Sequence, residues 1–181
     1  MKRFALLTIF SLLLTSCGGN SNQMFSQGFV PNCDQIDTSI ISNKELNLNC
    51  LGDSAQINFH SIKGPIVVNV WGSWCEGCKE EMPYFIDLYD SPIFKSGEIK
   101  LLGVDVEESS KEAATKFIKA YGMSWPHLVD SDGRSKGLFG LGVPVTWFID
   151  ERGEVVGKKI GAYLNKDELF AQVEKAFGVK L

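Results

Sequence analysis

The chain has little that would hold a structural metal. It has one C-x-x-C and no second, and its two histidines, His60 and His127, are far apart. Structural zinc sites pair two such motifs, or one motif with two closely spaced histidines, so Cys75 and Cys78 do not read as half of a zinc site. There is no run of basic residues, and the formal net charge is −4, so nothing favours nucleic acid as a partner. No internal repeat or low-complexity block interrupts the 181 residues. The longest N-terminal apolar run, Phe4 to Leu14, would span only about 17 Å as a helix, well short of a hydrocarbon core of about 30 Å. A mature transmembrane span is therefore disfavoured.

What is present fits one globular domain with an N-terminal extension: 44% hydrophobic and 22% charged residues. Lys2 and Arg3 ahead of the apolar run make residues 1–17 a targeting segment. Leu14-Thr15-Ser16-Cys17 resembles a bacterial lipoprotein signal, with Cys17 as the lipidated residue; an ordinary cleaved signal is the alternative. Residues 18–32 are turn-rich and aperiodic, and read as a tether reaching roughly 20 Å. Residues 33–181 form the expected domain.

Five cysteines are an odd number for an exported protein. Giving Cys17 to a lipid leaves Cys33, Cys50, Cys75 and Cys78. Proximity and chemistry join Cys75 to Cys78, which leaves Cys33 with Cys50. That pair is expected to be a structural disulfide, with a second redox pair as the sharper alternative.

The chain is organised around Asn69-Val70-Trp71-Gly72-Ser73-Trp74-Cys75-Glu76-Gly77-Cys78-Lys79-Glu80-Glu81-Met82-Pro83. The β-branched run Ile66 to Val70 predicts a buried strand, and Met82, Phe85, Ile86 and Tyr89 repeat at helical spacing. The cysteines thus sit at a helix start, where free N–H groups and the helix dipole favour a thiolate. A ring as small as Cys75–Cys78 constrains an unfolded chain little, which favours redox chemistry over a structural role.

Further along, Leu46, Leu48 and Cys50 alternate as a half-buried strand, and Ile57 to Phe59 read as its return. Ser91-Pro92 reads as a stop, followed by a strand over Ile99 to Val106. Ser109 with Glu112 reads as the capping box of a helix to about Tyr121. Leu128 to Asp130 is a short strand, Ser135 to Phe139 a brief helix, and Asp150 to Gly153 the turn of a hairpin. Asn165, with Glu168 at the box position, caps a last helix. The predicted class is α/β with a mixed sheet.

Trp-Cys-x-x-Cys after a buried strand, with Pro83 five residues beyond, resembles the thioredoxin superfamily. From about Leu46 to the C-terminus the chain is most similar to its membrane-tethered TlpA/ResA/DsbE-like branch, which handles thiols outside the cytoplasm, often in cytochrome c maturation. The resemblance implies a thioredoxin-like three-layer sandwich with an N-terminal β extension and a strand-and-helix insert over about Glu107 to His127. It implies a cis Val143–Pro144 bond facing the cysteines; a trans proline starting the strand is the plainer alternative. Gly77 departs from the proline most common at its position, and Asn69 stands where thioredoxins commonly carry a buried aspartate.

On this reading Cys75 attacks, Cys78 resolves, and the redox-active disulfide is the only cofactor. Trp74, Val143, Glu76 and Gly77 are expected to meet the substrate. Glu76 and Glu81, expected to be anionic near neutral pH, disfavour a nearby thiolate and so favour a reductant, with Lys79 a partial counterweight. For Glu81 a tuning role stands beside that of a solvated helix charge. The expected partners are exported thiol or disulfide proteins, apocytochrome c among them, and a membrane electron donor. The expected location is the extracytoplasmic or periplasmic face of the cell membrane, held by the lipid anchor. The competing readings are a disulfide-forming oxidase with the same cysteines and a Cu(I) metallochaperone, for which added histidine or methionine ligands are lacking. A peroxiredoxin would need a threonine and arginine cradle that is not evident.

Overall fold

The computed structural model describes residues 30–181. The expected signal, Cys17 and most of the tether lie outside the described residues. Val30 and Pro31, at the end of the expected tether, already pack on the domain: Val30 against the core, and Pro31 buried beside Gly52.

Seven strands form one mixed sheet in the order β2-β1-β5-β4-β3-β6-β7. They are β1 (Asn47–Cys50), β2 (Gln56–Asn58), β3 (Ile66–Trp71), β4 (Lys100–Val106), β5 (His127–Asp130), β6 (Val145–Ile149) and β7 (Val155–Ile160). The helices are α1 (Glu76–Tyr89), α2 (Pro92–Lys95), α3 (Lys111–Tyr121) and α4 (Lys166–Phe177). β3, β4 and β5 run parallel, while β6 lies antiparallel to β3 and β1 antiparallel to β5. The parallel crossovers β3-α1-β4 and β4-α3-β5 step in one direction across the sheet, and the right-handed rule for such connections puts both helices on one face. Accordingly, α1 and α3 bury Phe85, Leu88, Ala114, Phe117 and Ile118 in a single core together with Leu169 and Val173 of α4.

β3 is buried along its whole length, as its β-branched run requires, so side chains from both of its faces enter cores. Val67 and Trp71 face the helices, and Ile66, Val68 and Val70 face the other side. That other side is covered by the segment around Cys33 and Ile36, by the 3-10 turn Phe59–Ser61 and by Phe139. The third layer is thus made of irregular segments. Ser135 to Phe139, expected as a brief helix, is a series of turns, interrupted by Gly137 at φ +85° and closed by Gly140 at φ +112°. Asp130 organises this loop by accepting from the backbone N–H groups of Arg134 and Ser135 at 2.9 Å each.

The insert is a helix and a strand, α3 and β5, and β5 gives the N-terminal hairpin a partner through Cys50 and Leu128. Cys33 and Cys50 form a disulfide that closes a loop with a sequence separation of 17, worth about 3 kcal/mol in the chain-entropy picture. Three local details add to or change the expectations. Ser91-Pro92 does follow the end of α1 at Tyr89, and it also starts α2, because proline at the first helical position lacks only an N–H that would be unpaired there. Ser110, not Ser109, caps α3, its side chain accepting from Ala113 N at 3.2 Å. Glu168 turns its carboxylate to Leu164 N and Lys159 instead of back to Asn165.

Candidate active site

Cys75 is the N-cap of α1, with extended backbone angles, and its Sγ accepts from Cys78 N at 3.1 Å. Its own N–H reaches Gly72 O at 3.1 Å, closing the turn at the end of β3. Cys75 and Cys78 form a disulfide with Cα atoms 5.3 Å apart. Cys75 keeps 6% of its surface and Cys78 none, so only the first sulfur is open to a partner.

Pro144 brings the start of β6 to this pair. The Val143–Pro144 bond is cis, and the Pro144 ring lies against Gly77. Val143 precedes the ladder, whose first pairings are Val145 with Val70 and Ile160, so its main chain is outside the sheet. Trp74 is about half exposed, and its indole folds over Gly72, where a Cβ would meet Nε1 at 2.6 Å. Beside Trp74 and Val143 opens a cavity of about 250 Å3, also lined by Phe139, Leu141, Lys136 and Glu107.

A Cβ at Gly77 would sit 3.4 Å from Pro144 Cδ and Ala162 Cβ, an ordinary contact. Gly77→Ala should therefore fold normally and gain about 0.5 kcal/mol, because glycine loses more chain entropy in a helix. Thermal unfolding of the oxidised protein checks this; a fall in Tm would mean that Pro144 cannot accommodate the methyl.

Charge around the pair differs from expectation in two ways. Glu76 is exposed and pairs with Lys79 at 3.0 Å, so the two largely cancel at the mouth of the site. Glu81 is neither solvated nor firmly anionic. It has no exposed surface; Oε1 accepts from Asn69 Nδ2 at 2.9 Å and Oε2 from Tyr163 N at 3.1 Å. Burial pushes its carboxyl up to about 7, against the opposing pull of those two hydrogen bonds. A group of that kind, one helical turn beyond Cys78, can hold or release a proton near neutral pH.

Two further buried titratable groups lie outside the motif. Asp105, in register with Trp71 on the neighbouring strand, is fully buried, and burial followed by the Glu108 charge raises its carboxyl to about 8. His127, between Trp71 and Trp125, is held to about 3 by burial. Among the described residues neither side chain has a hydrogen-bond partner within the protein, nor do the Trp71 and Trp125 indole nitrogens. The sequence carried one sign of this: Asp105 is a lone charge inside the apolar run Leu101 to Val106. Among the described residues no group of three or more His, Cys, Asp or Glu is placed to hold a metal.

The mixed sheet, the cysteine pair at the start of the helix after β3 and the proline against it define a thioredoxin-fold protein built around a dithiol–disulfide couple. The chain belongs to the AhpC/TSA family, whose model matches residues 41–158. It is similar to the thiol-disulfide oxidoreductase ResA of Bacillus cereus, 28% identical over 176 residues that cover 97% of this chain and 98% of the relative. Against the ResA of Bacillus thuringiensis the identity is 31% over 125 residues, 68% of this chain and 70% of the relative. Among solved structures, StoA from Bacillus subtilis is 27% identical with a TM-score of 0.53, covering 68% of this chain and 92% of that one. MTB DsbF, at 22% identity, shares the fold with a TM-score of 0.63 over 76% of this chain and 98% of its own. The protein is an enzyme, a thiol–disulfide oxidoreductase.

Proposed function

We propose that the protein is a membrane-tethered, extracytoplasmic reductase of disulfides in exported proteins, apocytochrome c among them, re-reduced by a membrane electron donor. The tether is assigned to residues 18–32 and the lipid to Cys17, after a signal over residues 1–17. Among the described residues no helix is long and apolar enough to cross a membrane.

In the proposed cycle the Cys75 thiolate attacks one sulfur of the partner's disulfide. A Cys75–partner bond forms as the partner's S–S bond breaks, and the released partner sulfur takes a proton. The Cys78 thiolate then attacks Cys75 Sγ, forming the Cys75–Cys78 disulfide and freeing the second partner sulfur, which also takes a proton. Two electrons pass to the partner, and the donor returns two to the pair. Val143, set by its cis bond to Pro144, would present main chain to the partner as an added strand, with Trp74 and Gly77 beside it and Glu76 at the rim; the Pro144 carbonyl is already taken by Gly161 N at 3.0 Å.

The observation that carries the direction is Glu81. A buried carboxyl one turn from the pair supplies a proton to a departing or resting thiol and, once ionised, opposes a neighbouring thiolate. Both effects favour the neutral dithiol over a stable thiolate, and so a reductant. The opposite direction is favoured by Cys78 N donating to Cys75 Sγ at the start of α1.

Titrating the Cys75/Cys78 couple against redox buffers decides between them. A potential near or below about −270 mV, the thioredoxin value, is expected for the reductase; a value near the −120 mV of a strong oxidant (both approximate) would make the protein a disulfide-forming enzyme.

A further inference from the structure

We infer that Glu108 is a positioning residue for the nucleophilic cysteine, holding the turn that carries Cys75 from the end of the neighbouring strand. The inference rests on the proposed role of Cys75 as the attacking sulfur.

β4 ends at Val106, and the next residue turns the chain sharply. Glu107 has φ +52°, the one non-glycine residue with positive φ among the described residues. Side chains rarely occupy that region, because Cβ then crowds the backbone, and tertiary contacts must hold them there. Directly after this turn, the Glu108 carboxylate caps two main-chain donors. Oε2 accepts from Ser73 N at 2.9 Å and Oε1 from Ser109 N at 3.1 Å.

Ser73 stands between the end of β3 and Cys75. Three successive contacts then define the turn: Glu108 on Ser73 N, Cys75 N on Gly72 O, and Cys78 N on Cys75 Sγ. The last two are local to the turn and α1. The first alone of these three ties it to the chain just beyond a different strand. Beside it, the Trp74 indole fills the space over Gly72, and Val106 O lies 3.2 Å from where a Gly72 Cβ would be. The end of β4 and the cysteine turn are therefore packed as one unit.

Thiol–disulfide exchange needs the attacking sulfur in line with the bond it breaks, and a misplacement of about 1 Å costs on the order of 100-fold in rate. Loss of the Glu108 contact frees the turn that positions Cys75 while keeping both thiols in the chain. Glu108 touches neither sulfur, so its action is through Ser73.

The test compares Glu108→Ala, Glu108→Gln and Glu108→Asp in the full chain. The rate constant per thiolate for exchange with a small disulfide such as oxidised glutathione is taken from its pH profile, which removes any change in thiolate fraction. Glu108→Ala is expected to fall about tenfold, and Glu108→Asp, one methylene short, nearly as far. Glu108→Gln keeps an oxygen for Ser73 and should stay within about threefold of the parent. The Ser73 amide should lose its slow hydrogen exchange in the Ala and Asp variants and keep it in Gln.

A parental rate in Glu108→Ala or Glu108→Asp overturns the inference, as does a Glu108→Gln rate as low as that of Ala, which would make the charge the active feature. Should Glu108→Ala not fold, the Asp and Gln pair carries the same comparison. Exchange that survives Cys75→Ser in the parent overturns the nucleophile assignment and this inference together; a Cys75-dependent parent with insensitive Glu108 variants overturns this inference alone.

Discussion

Asp105→Asn is expected to stabilise the folded protein at pH 7 by up to about 4 kcal/mol, while changing it little at pH 4. The Asp105 carboxyl has no exposed surface, and among the described residues neither oxygen has a protein partner. Burial first, and the Glu108 charge second, lift it from 3.8 to about 8. A folded state that holds this proton more tightly than the unfolded chain loses stability as pH rises. The stabilising contribution is complete below about pH 4, declines between pH 4 and 8, and is gone above about 8. Asparagine has the same shape and never ionises, so its variant should not follow that decline. Urea unfolding of both proteins at pH 4, 6 and 8 measures the difference. Curves that stay parallel across that range would mean that Asp105 ionises as freely in the folded protein as in the unfolded one.

Glu81→Gln should separate function from stability at a single position. Its carboxyl moves from 4.5 to about 7 on folding, so its ionisation also opposes the fold, between about pH 4.5 and 7. Above pH 7 the glutamine variant should be more stable by up to about 3 kcal/mol, and near pH 4 it should be equal to the parent. Activity should move the other way. If Glu81 passes protons to and from the cysteine pair, its loss removes on the order of 100-fold from the rate of disulfide reduction at pH 7. The rate profile should also lose its ionisation near pH 7. A variant that is more stable but slower is the signature of a buried group kept for chemistry. Parental rates with a parental pH profile would instead assign Glu81 to the packing of Asn69 and Tyr163.

The two largest effects thus fall on residues with different visibility in the sequence. Glu81 stands one turn beyond a motif that marks it for attention, and its spacing to Cys78, Phe85 and Leu88 puts it on the apolar stripe of α1, a sign that its charge and the polar Lys79 and Glu80 beside it in sequence obscure. The docking of Tyr163 N, from the loop after β7, is what closes that face. Asp105 carries only the weak sign of a charge within an apolar strand. Glu108 carries none, because a loop written Glu-Glu-Ser-Ser looks like solvated chain ahead of a helix cap. Its contact with Ser73 spans 35 residues and depends on the parallel pairing of β3 and β4.

The sequence by itself determined the central strand, the helix that follows it and the cysteine pair between them. Those features follow from short-range chemistry: β-branched runs, a period near 3.6, and cysteines where helix N–H groups lack partners. It also determined the pairing of Cys33 with Cys50, by arithmetic once Cys17 was set aside, and the hairpin at Asp150. Tertiary structure alone decided which charges lose their water. It docked Tyr163 N on Glu81, buried Asp105, set Glu108 against Ser73, and replaced a helix after Asp130 by a glycine-rich loop. The physical reason is that desolvation and cross-strand contact belong to surfaces brought together from distant segments, and no local pattern in the chain encodes the dielectric that a side chain will meet.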